Sequence, residues 1–334
     1  MATFDTIRLD KGLYATGNFT KALEHIDPDE NYKGTALEGL DAYQRQLKRF
    51  DIKVSGTGSD VVDKFFKTTD SAALFPEYIS RAVRQGMESS NSLSSVVATT
   101  TVIDALDYRS IRSTANDNEK ELKAVGEGAF IPQTQISTKE NLVKLRKRGR
   151  SLVASYEAIR FQRLDLFTIT LRQIGAYIAR TQFNDAVDVL LNGDGNKNAA
   201  YLLNVQESGK ITYYDIVNTW GNMYPYTITT MLANPLSIAK ILELPEFKDA
   251  AAGLNFHATG KMITPLGAEL VNSFEIPESS LLCIDKNNAL EMVTTGGVTT
   301  EYDKLIDRQL ERAVISCTAG FSKIFDEAVC LLGG

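Results

Sequence analysis

The sequence predicts an α+β fold organised around one long helix. Residues 156–191 repeat apolar side chains at helical spacing, which would give a helix roughly 50 Å long. β-branched stretches at 96–106 and 227–234 predict strands before and after that helix. Residues 109–150 alternate polar and apolar side chains between polar turns, which is typical of a long two-stranded loop. No stretch of 20 to 50 residues repeats, so the chain is not a repeat protein.

The N-terminal 95 residues predict an arm with short helices. One amphipathic helix is indicated by apolar residues at steps of three and four, namely Leu37, Leu40, Tyr43, Leu47 and Phe50. A second short helix opens near Pro76. Because such a segment cannot bury a core alone, we expect residues 1–60 to contact neighbouring subunits or the two-stranded loop rather than form a domain.

The long helix should have one buried side. Its apolar stripe comprises Leu164, Phe167, Leu171, Ile174, Ile178, Val187 and Leu190. We expect Leu171 and Ile174 to be buried on the inner face. The helix should stop at Asn192-Gly193, because glycine accommodates the left-handed backbone of a C-terminal cap.

The remainder of the chain alternates helices and strands. A helix is predicted around Trp220, and the strand at 227–234 is followed by a turn at Asn234-Pro235 and a helix over 236–244. Short strands follow between 262 and 298, and two more strands close the chain.

Composition favours an ordinary soluble globular protein. The chain has 334 residues, with 36 Lys and Arg against 42 Asp and Glu, so its net charge of −6 repels polyphosphate at long range. Its three cysteines form no C-x-x-C pair, and we expect Cys283, Cys317 and Cys330 to be buried thiols of a reducing compartment. No secretory start and no run of 18 apolar residues occur, which predicts no membrane association.

One stretch partly matches a calcium-binding loop. Three oxygen-bearing residues, Asp194, Asn196 and Asn198, occupy its first three ligand positions. Ala199 stands where the turn glycine belongs, and Val205 stands where the bidentate Glu belongs. We interpret the stretch as a turn.

Motifs of catalysis and of cofactor binding fail in the same way. His25 and His257 have no second plausible ligand at helical or turn spacing. Gly260-Lys261 resembles part of a phosphate loop, but Met262 replaces the metal-binding hydroxyl. Neither G-x-S-x-G nor H-E-x-x-H occurs. The sequence therefore predicts no catalytic residue, no metal site and no cofactor.

The order of these parts resembles a known family. G-E-G-A-x-x-P at 126–132 lies in the two-stranded loop, LLNGDG ends the long helix, a following segment contains LANP, and paired strands close the chain. Together they resemble the tailed-phage major capsid protein of the Hong Kong 97 fold over residues 70–334.

The resemblance implies a peripheral domain with a spine helix and long strands, an axial α/β domain, an extended two-stranded loop and an N-terminal arm. The implied boundaries are the arm at 1–95, a peripheral strand at 96–108, the extended loop at 109–150, the spine-helix region of the peripheral domain at 151–213, the axial domain at 214–300 and the returning strands of both domains at 301–334. Certain family members join subunits through a Lys–Asn bond, but no motif assigns those roles here.

The resemblance also implies a function. Such a protein would assemble through pentamers and hexamers into an icosahedral shell around phage double-stranded DNA, in the host cytoplasm, with weak non-specific contact to the DNA. Separate scaffold, portal and decoration proteins would be candidate further partners. The alternative within the fold is an encapsulin, a cellular compartment that encloses an enzyme; the polar arm and the extended loop favour the viral interpretation. A nucleic-acid-binding module and an enzyme with an unrecognised site are alternatives of other classes.

A basic stretch, KLRKRGR, is the candidate contact surface. It carries Lys144, Arg146, Lys147, Arg148 and Arg150 on the descending side of the extended loop. Glu119 and Glu121 lie on the opposite side, and opposite charges on two sides of one hairpin suit head-to-tail contact between identical loops. A nucleic-acid surface would be expected to interleave aromatic residues, and this strand has none. The pattern favours a subunit contact, with direct DNA contact and a solvated face as the alternatives.

Overall fold

The computed structural model describes residues 6–9, 19–105, 108–113, 124–129, 136–248, 264, 266–305, 307 and 309–334. The helices are α1 (Phe19–Ile26), α2 (Ala42–Arg49), α3 (Thr69–Ala72), α4 (Phe75–Ser89), α5 (Tyr156–Arg160), α6 (Leu164–Asn192), α7 (Tyr213–Asn222), α8 (Pro235–Leu242), α9 (Pro245–Lys248) and α10 (Lys286–Ala289). The strands are β1 (Thr99–Val102), β2 (Ile111–Ser113), β3 (Ile136–Thr138), β4 (Arg146–Ser155), β5 (Tyr201–Asn204), β6 (Thr230–Ala233), β7 (Glu269–Asn272), β8 (Leu281–Ile284), β9 (Leu290–Thr294), β10 (Thr299–Leu305), β11 (Leu310–Lys323) and β12 (Val329–Gly333). The predicted α+β class is confirmed.

The chain folds into two compact units. Unit 1 comprises Met1–Asn91, Lys147–Ala179 and Gly297–Cys317. Unit 2 comprises Ser92–Arg146, Arg180–Gly296 and Thr318–Gly334. Each unit has its own apolar core.

In unit 1 the predicted long helix is broken near its start, since α5 ends at Arg160 and α6 begins at Leu164. The N–H of Val62 donates to the carbonyl oxygen of Gln162 at 2.9 Å, and the N–H of Leu164 donates to that of Asp60 at 2.8 Å. In a continuous helix the carbonyl oxygen of Gln162 and the N–H of Leu164 would instead form hydrogen bonds within the helix. The prediction of one unbroken helix from residue 156 is therefore wrong at the three residues between α5 and α6.

The buried stripe of the long helix is confirmed. Leu171 is fully buried and Ile174 nearly so in the core of unit 1. Val187 and Leu190, further along α6, are fully buried in the core of unit 2. The helix ends at Asn192, and Gly193 follows with a φ of +87°, as the cap prediction requires.

The N-terminal segment packs inside unit 1. Tyr43 and Leu47 of α2 are buried in the same core as Ile79 of α4 and Leu171 of α6. The expectation that this segment would lie against a neighbouring subunit or the extended loop is wrong for these residues. Their apolar side chains pack against residues of α4 and α6 in the same chain. Those residues are far away in the sequence, so local periodicity does not identify them.

A buried cation holds this segment together. Arg45 is fully buried, and its Nε donates to Asp27 at 2.9 Å while Nη1 donates to Asp29 at 2.6 Å. The guanidinium also lies over the ring of Tyr32, 4.3 Å from its centre. The two carboxylates compensate the charge that burial would otherwise make costly.

Helices α4 and α6 approach closely at two glycines. A Cβ at Gly86 would lie 2.0 Å from the carbonyl oxygen of Arg172, and a Cβ at Gly175 would lie 2.0 Å from that of Val83. Neither backbone can give way cheaply, so only glycine allows this packing distance.

Strands β10 and β11 pair antiparallel in unit 1. β10 pairs with the first part of β11, from Thr299 opposite Ser316 to Leu305 opposite Leu310. β4 runs beside β11, where a Cβ at Gly149 would lie 2.5 Å from a backbone oxygen.

Unit 2 contains a mixed five-stranded sheet in the order β5-β12-β8-β6-β7. All residues of β6 and β8 are buried, which explains why β8 is a continuous apolar run and why β6 has a single polar residue, Thr230. Helices α7 and α8 lie where the sequence predicts helices around Trp220 and after Asn234. The last part of β11 pairs antiparallel with β9, which pairs parallel with β1.

The cysteines are free and buried, as predicted. Burial raises the pKa of Cys283 far above its usual value and raises that of Cys330 to about 11. Such thiols pack as small apolar side chains.

Within the described ranges no helix is long and apolar enough to cross a bilayer.

Candidate subunit-contact surface

The predicted extended loop has an ascending leg, residues 108–113, and a descending leg, residues 136–143, which lie side by side in unit 2. β2 pairs antiparallel with β3, from Ile111 opposite Thr138 to Ser113 opposite Ile136. Two further backbone hydrogen bonds join the legs beyond the end of this ladder at which Ile111 pairs with Thr138. The N–H of Lys139 donates to the carbonyl oxygen of Ser110 at 2.9 Å, and the N–H of Val143 donates to that of Tyr108 at 2.9 Å.

The ascending leg is held by one carboxylate, and we call this set of residues the Glu291 cluster. Glu291 lies on β9 and is almost wholly buried. Its Oε1 accepts hydrogen bonds from the hydroxyls of Thr101 at 2.6 Å and Tyr108 at 2.7 Å, and its Oε2 accepts one from Ser110 at 2.5 Å. Burial and the bond to Glu291 raise the pKa of Tyr108 above its usual value. The hydroxyl therefore stays protonated and keeps donating.

The descending leg is held by an ammonium group, and we call this set the Lys139 cluster. The Nζ of Lys139 donates to Asp194 Oδ2 at 2.8 Å, to the hydroxyl of Ser322 at 3.3 Å and to the carbonyl oxygen of Lys323. Both members of the Lys139–Asp194 pair are about 5% exposed or less. Asp194 stands in the turn after α6, so the interpretation of that stretch as a turn is confirmed.

Electrostatics favour the charged form of Asp194. Burial opposes ionisation, but hydrogen bonds from Lys139, Asn196 and Ser322 outweigh it and hold the pKa of Asp194 well below its usual value. Lys323 behaves differently. Burial lowers the pKa of its ammonium to about 8, although its Nζ donates to the carbonyl oxygen of Asn198 at 2.7 Å.

Within unit 2, the first cations of the basic stretch differ in their surroundings. Arg146 Nη1 donates to Asp185 Oδ1 of α6 at 2.5 Å, and its Nη2 lies 3.7 Å from Asp188. The arginine side chain is 47% exposed and that of Asp185 is 11% exposed. Arg146 therefore already has carboxylate partners within its own chain. Lys144 is exposed.

Within unit 1, β4 carries Lys147, Arg148 and Arg150. Lys147 and Arg150 are exposed, and neither forms an ion pair with any residue that the structure describes. Arg148 is half-buried; burial raises the pKa of the Cys317 thiol to about 11, and the charge of Arg148 opposes that rise. Lys147 and Arg150 are thus the cations of this strand best placed to meet another molecule.

The predicted acidic partners Glu119 and Glu121 lie outside the described residues, so their pairing with the basic stretch stays a prediction. Sequence reasoning also missed Glu291, Asp194 and Lys323 as anchors of the loop. A weak signal existed, since Glu291 interrupts the apolar run ALEMV and Lys323 interrupts the strand GFSKIF. Charges at such positions are either solvated or paired inside the fold.

Comparisons with known proteins agree with this architecture. A family model described as phage capsid protein matches residues 138–299, just under half of the chain. No curated protein sequence matches significantly.

Solved structures share the fold at low sequence identity. The chain resembles a virus-like particle from Pyrococcus furiosus at 13% identity and a TM-score of 0.52, covering 77% of this chain and 98% of that one. It resembles the capsid of a native GTA particle at 13% identity and a TM-score of 0.54, covering 72% and 90%. It also resembles a structure from Microbacterium phage Oxtober96 at 10% identity and a TM-score of 0.51, covering 73% and 91%.

Most of each of these proteins is thus covered by the chain. The chain has the capsid fold of Hong Kong 97, and its predicted resemblance to tailed-phage capsid proteins is confirmed.

Proposed function

We propose that the chain is a structural major capsid protein, which assembles through pentamers and hexamers into an icosahedral shell around phage double-stranded DNA. The observation that carries this proposal is the phage capsid family match over residues 138–299 in a chain whose fold is that of a capsid protein. In this role the protein does no chemistry, and its free energy of association resides in interfaces between copies.

The extended loop is the proposed contact element. Lys144, Lys147, Arg148 and Arg150 would meet acidic residues of a neighbouring copy, with Glu119 and Glu121 as their proposed partners. Arg146 contributes less than its neighbours in sequence, because it is paired with Asp185 of its own chain.

The packaged polymer would be held weakly. The net charge of −6 disfavours tight binding of polyphosphate, and a wall that binds every phosphate would impede packaging. We propose assembly in the host cytoplasm and residence in the virion, with scaffold, portal and decoration proteins as further partners.

The contents of purified particles test the proposal. Particles from infected or expressing cells should contain nuclease-protected double-stranded DNA when the packaging machinery is present. Particles that enclose a second protein and no DNA would instead identify an encapsulin-type compartment. An exclusively monomeric protein under all assembly conditions would contradict both.

A further inference from the structure

We propose that the Glu291 cluster and the Lys139 cluster are positioning elements, which fix the two legs of the extended loop against the rest of unit 2 and thereby control assembly. The inference rests on the proposed function, in which that loop makes the subunit contact. None of the residues in either cluster is among the proposed contact cations, so the anchor and the contact can be altered separately.

The Glu291 cluster joins hydroxyl donors of the ascending leg and of β1 to one carboxylate. A carboxylate only accepts hydrogen bonds, and here three hydroxyls, from Thr101, Tyr108 and Ser110, converge on it. Hydroxyl-to-carboxylate bonds are charge-assisted and stronger than neutral ones. Ser110 is buried, so its hydroxyl would lose its acceptor without Glu291.

The Lys139 cluster uses every donor of its ammonium. Three N–H groups find three acceptors, on Asp194, Ser322 and the backbone of Lys323. Because Asp194 also accepts from the Ser322 hydroxyl at 2.9 Å and from the backbone N–H of Lys323 at 3.2 Å, the carboxylate cannot follow the lysine if the leg moves. The descending leg is therefore fixed to the turn after α6 and to the end of β11.

The two clusters act at the same level of the loop. Ser110 and Lys139 each belong to one cluster, and the backbone hydrogen bond between them joins the two legs. A two-stranded ribbon has no core of its own, so the position of its legs is decided where they are anchored. Both anchors are buried and polar, and both depend on a charged group, which makes them removable by single substitutions.

Hydrogen exchange of the full chain, combined with particle yield, tests this inference. The variants are Glu291→Ala, Lys139→Met and the double substitution. The matched controls are Glu278→Ala and Lys210→Met, which make the same charge changes at exposed positions of unit 2.

We expect exchange in peptides 108–113 and 136–143 to accelerate about tenfold in each single variant, because each loses hydrogen bonds that oppose local opening. Peptides of β6 and β8 should keep their protection. Particle yield should fall in each single variant and fall further in the double variant, and both controls should match the wild type. Glu291→Gln retains an acceptor oxygen and should recover part of the protection and of the yield.

Unchanged exchange in the legs would overturn the anchoring role. Looser legs with normal particles would overturn the positioning role. If Glu291→Ala loses protection throughout β6 and β8, it is unfolded, and Glu291→Gln decides the question because it keeps size and shape. A wild type that forms no particles would contradict the proposed function, while the exchange result would still decide whether the clusters anchor the loop.

Discussion

Arg146 on β4 and Asp185 on α6 form an ion pair at 2.5 Å, so the basic stretch is partly an internal feature of the fold. Arg146→Glu would place a third carboxylate beside Asp185 and Asp188. We expect the free energy of unfolding to fall by about 1–3 kcal/mol, because the largely buried Asp185 loses its ion pair with Arg146 and gains a like charge beside it. Lys147→Glu is the control and should change stability by less than about 0.5 kcal/mol, since Lys147 is exposed. Equal denaturation midpoints for the two variants would contradict the role given to this pair.

Lys147 and Arg150 test the subunit contact better than Arg146 does, because both are exposed and Arg146 is paired within its own chain. We expect the double variant Lys147→Glu/Arg150→Glu to fold normally and to assemble poorly or only at altered salt. Each exposed charge pair contributes under about 1 kcal/mol, but a closed shell repeats the deficit in every subunit. Sedimentation velocity at low and moderate salt measures the outcome. Restoration by Glu119→Lys/Glu121→Lys would identify the partners, whereas normal shells from the double variant would leave the strand as a solvated face.

The core of unit 1 gives a sharper stability test. Leu171 is fully buried on α6, and Leu171→Asp would bury an unpaired carboxylate among apolar side chains. We expect a loss of about 4 kcal/mol or more. Gln173→Asp introduces the same group at an exposed position of the same helix and should cost much less. Normal amounts of soluble, folded Leu171→Asp protein would refute the assignment of this helix face.

Two helical glycines should respond differently to alanine, because Gly175 lies where α6 approaches α4 and Gly221 of α7 has open space around its Cβ position. Gly175→Ala should destabilise by about 1–3 kcal/mol, because the new Cβ would lie 2.0 Å from the carbonyl oxygen of Val83. Gly221→Ala on α7 should be neutral or stabilising by up to about 1 kcal/mol, because nothing lies within 4 Å of its Cβ position. Thermal unfolding of both variants measures the contrast. A stabilised Gly175→Ala protein would mean that the helices are further apart.

Lys323 predicts a dependence of stability on alkaline pH. Burial lowers its pKa from 10.5 to about 8, so between these values the folded chain holds the neutral amine while the unfolded chain holds the ammonium. The unfolded state then binds more protons, and stability rises with pH across this window. Relative to Lys323→Met, the wild type should gain about 3 kcal/mol between pH 8 and pH 10.5. Parallel curves of unfolding free energy for the two proteins would show that Lys323 keeps its ordinary pKa.

Features that depend on local spacing could be predicted from the sequence. The buried positions Leu171 and Ile174 follow from helical periodicity, and the end of α6 follows from Gly193. The break before Leu164 could not be predicted, because its cause is pairing with Asp60 and Val62, about 100 residues earlier.

The contacts of Glu291 and Lys139 with the legs of the loop could not be predicted from the sequence for the same reason. Glu291 is about 180 residues from Ser110 in the sequence, and Lys139 is 55 residues from Asp194. No local pattern links such pairs. Arg146 looked like its neighbours in KLRKRGR, and only the position of α6 distinguishes it. Buried charges are recognisable in sequence as interruptions of apolar runs, but their partners appear only in the folded chain.

The central claim, that many copies of this chain form a closed shell, is tested most directly by negative-stain electron microscopy of the purified full chain at low and moderate salt. We expect shells, or rings and sheets of regular subunits, in at least one of these conditions. Dispersed particles of monomer size in every condition, from protein that is folded by circular dichroism, would contradict it.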